Sequence, residues 1–123
     1  MIREFSTTGI TGNVSFFPNP GYKYRLLFAG IQLVSGTGTG TRYAYLKRQL
    51  SISEVYVSTG NQTATSSSFT AIGSISPAGG GATSYGWYEY PEIDTKGGMQ
   101  LAVSLITGDT VNYTIIVDEV IDA

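Results

Sequence analysis

The stretch that decides the fold is Tyr22-Lys23-Tyr24-Arg25-Leu26-Leu27-Phe28-Ala29-Gly30-Ile31-Gln32-Leu33-Val34. Its apolar residues recur with period two: Tyr22, Tyr24, Leu26 and Phe28 on one face, Leu27, Ala29, Ile31 and Leu33 on the other. A helix would space them three or four apart, so the segment is extended chain, and it reads as a strand buried on both faces. The same alternation returns outward from it at 43–52, 55–57, 69–75, 99–105 and 111–117, each rich in β-branched or aromatic residues that suit a pleated surface. No stretch offers a helical stripe with caps.

Between these runs lie Pro18-Asn19-Pro20-Gly21, Gly36-Thr37-Gly38-Thr39-Gly40, 60–68, 77–82, Lys96-Gly97-Gly98 and Gly108-Asp109, all of residue types that accept turn geometry. Turn signals about every ten residues predict an all-β fold, a single antiparallel β-sandwich of about eight strands, of jelly-roll or related Greek-key type. The Gly-Thr run at 36–41 reads as a flexible hairpin tip, and 60–68 and 77–84 as low-complexity segments that a partner would order. One domain spans 1–123, with 1–11 as an N-terminal arm able to add a strand to a neighbour's sheet.

Only 13% of the residues are charged, about half the roughly 25% of an average soluble protein. A basic nucleic-acid binder, a coiled coil and an acidic disordered tail are excluded. The chain has no Cys and no His, which removes disulfides, thiolate nucleophiles, Cys/His zinc sites and schemes built on an imidazole base. The glycines form no phosphate-binding loop, because no Gly-Lys-Ser/Thr element occurs and no helix follows Gly40. Glu89 and Glu92 stand three apart in a region that reads as strand, which sends them to opposite faces and makes a poor acid/base dyad. Asp118, Glu119 and Asp122 lack the spacing of a cation loop and read as a solvated, frayed terminus. No catalytic residue, metal site or cofactor is expected, and the chain is read as a non-enzyme. Met1 to Ser6 carries no signal-peptide run and no segment is apolar enough for a helical membrane span, so a soluble protein without a secretory signal is expected. On that reading the three sequons at Asn13, Asn61 and Asn112 carry no glycan.

Charge is unevenly placed. Residues 1–50 hold six basic side chains against Glu4 alone, and residues 51–123 hold Lys96 against eight acids. Either interleaved strands bring the halves together and the charges pair locally, or opposite patches face different neighbours in an assembly. The densest aromatic cluster is Tyr85-Gly86-Trp87-Tyr88-Glu89-Tyr90-Pro91, with Tyr85, Trp87 and Glu89 on one face and Tyr88 and Tyr90 on the other. Trp87 can be a core anchor, a sugar-stacking ring beside carboxylates, or part of a protein interface.

The run Pro20-Gly21-Tyr22-Lys23-Tyr24-Arg25-Leu26-Leu27-Phe28, the apolar stretch to Val34, Thr37 to Thr41, and Arg42-Tyr43-Ala44-Tyr45-Leu46 resembles small β-sandwich virion proteins of tailed bacteriophages and related viruses. The likeness covers about residues 18–50 and the strand rhythm beyond. It implies a capsid decoration (cement) or minor head protein, located in the virion and assembled in the host cytoplasm. Its partners would be the major capsid protein and its own copies, as a homo-oligomer such as a trimer, with no nucleic acid and no membrane. A surface poor in charge and rich in Ser, Thr, Gly and Tyr agrees with burial against neighbours. The expected contact residues are Arg25, Arg42, Lys47 and Arg48, and Tyr85, Trp87, Tyr88 and Tyr90. The alternative is a carbohydrate-binding module or host-recognition tip built on Trp87 with Glu89 and Glu92.

Overall fold

Eight strands form among the described residues: β1 Ile2–Ile10, β2 Val14–Phe16, β3 Tyr22–Val34, β4 Tyr43–Arg48, β5 Val55–Ser58, β6 Ser68–Ile72, β7 Met99–Ser104 and β8 Thr110–Ile121. They come from a computed structural model that describes residues 1–49, 55–72 and 98–122. β3 to β8 coincide with the alternating runs of the sequence. Among the described residues no helix is long and apolar enough to cross a membrane.

The strands build two sheets of four, in the orders β1-β8-β3-β6 and β2-β7-β4-β5. β1 pairs with β8, β2 with β7, β3 with β6 and β4 with β5, all antiparallel. Each strand of the first half therefore lies beside its mirror-image strand of the second, as if one long hairpin had been rolled up until β3 met β8 and β4 met β7. That topology is the jelly roll, a β-sandwich of two Greek keys.

Rolling the hairpin also decides the charge question for the residues it brings together. The basic half meets the acidic half strand by strand: Arg42 bonds Asp109, Arg3 reaches Glu119 and the Met1 amine binds Asp118. Local pairing inside one sandwich accounts for these charges.

The decisive stretch is buried on one face, not two. β3 pairs Leu26 with Val117 and Phe28 with Ile116, which leaves Leu27 as an extra residue in a β-bulge. A one-residue insertion flips every later side chain. Tyr24 and Leu26 face the core before the bulge, and Ala29, Ile31 and Leu33 face it afterwards. β8 has no bulge on this side and sends Val111, Tyr113, Ile115 and Val117 inward without a break. From the other sheet Phe16, Ala44, Leu46, Val57, Met99 and Leu101 close the core.

Both chain ends depart from expectation. The N-terminal segment is no projecting arm in this fold, since β1 forms the edge of its own sheet with Phe5 opposite Ile115. Its Phe5 ring packs inward, 4.9 Å from Phe16 and 6.0 Å from Tyr24. The C-terminal acids are not frayed either, because β8 runs to Ile121 between β1 and β3. Glu119 is buried and accepts hydrogen bonds from the Asn19 amide at 2.9 Å and from Arg3 at 3.4 Å. Asp118 and Glu119 point to opposite faces, so they do not converge on a cation.

Candidate functional site

Strand direction gives the sandwich two unlike ends. The first gathers the connections β1–β2, β3–β4, β5–β6 and β7–β8, and it is locked from within. Arg42 is fully buried there, its Nε donating to Asp109 at 2.9 Å. Its Nη1 donates to the Thr63 carbonyl at 3.2 Å and the Ala64 carbonyl at 3.0 Å, and Nη2 to the Gly38 carbonyl. Asp109 accepts two further bonds, from Gly36 N–H at 2.8 Å and Ile106 N–H at 2.9 Å. Burial pushes the Asp109 carboxyl up, but the Arg42 bond and these two amides outweigh it and hold the group below its ordinary range.

Arg42 is thus a correction: expected as an exposed contact, it offers nothing to a partner. A guanidinium has five donors in a planar fork, which suits it to tie one carboxylate and three loop carbonyls together. The Gly-Thr run is corrected with it. Gly36 is bonded to Asp109, Gly38 to Arg42, and side chains at 38 and 40 would collide with Ile106. The 60–68 segment is ordered by its own chain, through Arg42 paired with Gln62 in both directions and Ser35 N–H bonded to the Ser67 carbonyl at 2.8 Å.

The second end carries both chain termini and the β2–β3 turn. β4 finishes there, β5 and β7 begin there, and β6 runs toward it. Tyr22 sits opposite Ile121, Ile2 opposite Asp118, and Phe17 leads into the turn with its carbonyl accepting the Tyr24 hydroxyl at 2.7 Å. Met1, Ile2, Phe17, Tyr22 and Ile121 are 40–76% exposed, and they are five of the six large apolar side chains exposed among the described residues.

Three of the expected cations lie at this same end. Arg25 is exposed and opposite Asp118; Lys47 and Arg48 are half-buried at the end of β4, paired with Gln100 and Met99. Tyr85, Trp87, Tyr88 and Tyr90, with Glu89 and Glu92, lie outside the described residues. Compared with known proteins, the chain matches no family model, no curated protein and no solved structure.

Sequence reasoning missed the apolar end itself. Phe17 had a signal, because consecutive residues such as Phe16 and Phe17 point to opposite faces and only one can enter the core. Ile2, Tyr22 and Ile121 had none, since only strand pairing reveals that they come together. Tyr43 and Tyr45 were also passed over as a pair: two apart on β4, they stack on the outer face of the second sheet with ring centres 5.4 Å apart.

Proposed function

We propose that this chain is a non-enzymatic structural subunit of a virion, a capsid decoration or minor head protein that braces the shell through protein–protein contacts. The observation that carries the reading is the concentration of exposed apolar side chains at one end of the jelly roll. Five large exposed apolar groups gathered at one end of a small domain favour an interaction surface there. Such a surface usually has an apolar centre and a polar rim in which Arg is enriched, and Arg25 and Arg48, with Lys47, lie at this same end.

The jelly roll supports the reading only in part, because capsid and lectin domains share it and a fold does not fix a function. A repeating shell adds what one small contact lacks: many copies turn weak binding into high avidity. The neighbour this end would meet is the major capsid protein, with copies of the chain itself at its flanks.

The test is co-sedimentation of the purified chain with empty shells of a major capsid protein from the same source. Wild type is expected in the shell fraction. Phe17→Asp combined with Ile121→Asp is expected to leave it while keeping the native melting temperature, both side chains being exposed. A wild-type chain that stays in the supernatant contradicts the proposal.

A further inference from the structure

Far from that end, the outer face of the β1-β8-β3-β6 sheet carries a second feature. Strand register sets Ser6, Thr114, Gly30 and Ile72 in one row across all four strands. Gly30 leaves the middle of the row without a side chain, and the Phe28 ring lies against the gap, about 3.1 Å from where a Gly30 Cβ would be. The result is a surface groove of about 480 Å³, within the range of small-molecule sites.

We propose that this groove binds a neutral saccharide. No charged residue lines it among the described residues, so phosphate, carboxylate and ammonium ligands would meet no counter-charge. Its exposed lining is mostly apolar, with Phe28 and Ile72 contributing, and hydroxyls and amides are set among it, a mixture that suits a ring with polar edges and C–H faces.

The next row is preset for such a ligand. Asn112 Oδ1 accepts the Gly9 N–H at 2.8 Å, Asn112 Nδ2 donates to Gln32 Oε1 at 2.9 Å, and Gln32 Nε2 donates to Ser68 Oγ at 2.9 Å. The chain of bonds orients both amides by a backbone N–H that can only donate. It uses one hydrogen of each NH₂, so each amide keeps a second donor for the groove, and ordering these groups on binding costs little. Thr114 adds a hydroxyl already held by Ser6 at 3.0 Å. The groove residues named here are other than those of the Trp87 cluster, and the proposal does not depend on the virion reading.

The test is a titration of the ¹⁵N-labelled full chain with cellohexaose, maltohexaose, xylohexaose and galactan oligomers, read as amide shifts. Shifts centred on Gly30, Gln32, Thr70, Asn112 and Thr114 are expected with at least one of them. Asn112→Asp and Gln32→Glu keep the oxygen acceptors of the ladder but remove its donors, and each is expected to weaken binding about three- to tenfold. Thr114→Arg, which fills the groove from a strand centre without touching the ladder, should abolish it. Should no oligosaccharide move these amides, the proposal falls. It falls equally if binding survives all three variants, if the shifts map to 85–90 instead, or if the face is occupied only when the capsid protein is added.

Discussion

Arg42 and Asp109 are 67 residues apart in sequence, and their bond lies at the centre of the polar network that locks the first end. Removing one partner of a buried pair strands the other charge, at a cost of about 3–5 kcal/mol, whereas replacing both with apolar groups is often nearly neutral. Arg42→Met is therefore expected to lower the free energy of unfolding in urea by about that amount, and Arg42→Met with Asp109→Leu to regain part of it. The loop carbonyls that Arg42 caps would stay unpaired in both variants, so recovery should be incomplete. The same pair sets an acid limit. The folded-state pKa of Asp109 lies below its unfolded value, so its contribution is complete above about pH 4 and fades as pH falls through the folded value. Asp109→Asn should be less stable at neutral pH and should lose less on acidification to pH 3, measured by urea midpoints across that range. An equal acid loss in both proteins would contradict this role.

At the scale of elements, the Leu27 bulge carries the phase of β3. Its deletion would restore strict alternation and force either Tyr24 and Leu26 or Ala29, Ile31 and Leu33 to the outer face. The deletion variant is expected to lose cooperative unfolding, while Leu27→Ala, which keeps the extra residue, should cost only about 1 kcal/mol. A deletion variant with a native melting curve would show that the bulge is dispensable. The bulge also shows how far sequence reading reaches. Period two marked β3 to β8 because residue type and spacing are local. It took one buried face interrupted by an insertion for two buried faces, because alternation alone looks the same in both cases. β1 was mistaken for an arm since IREFSTTGI is sparse in apolar residues, and only its pairing with β8 makes it a strand. Arg42 misled for the same reason at smaller scale: its acid comes from the far side of the roll, and nothing near it in sequence announces burial.

At the scale of the whole molecule, the jelly roll separates an end locked around Arg42 from an end at which, among the described residues, large apolar side chains are exposed. Folding the chain back on itself puts the first half against the second, pairs Arg42 with Asp109 and Arg3 with Glu119 within the sandwich, and brings the Met1 amine to Asp118 near the end of β8. The fold class was legible from the rhythm of strands and turns. The apolar end was not, because its exposed side chains come from positions 1, 2, 17, 22 and 121, which only the topology brings to one end. The central claim is that this end is made to be covered by a neighbouring subunit. It is tested most directly by a cryo-electron microscopy map of capsid shells incubated with the purified chain. The account expects Phe17, Tyr22 and Ile121 in contact with capsid protein and the Arg42–Asp109 end turned outward. A map in which those three side chains face solvent would contradict it.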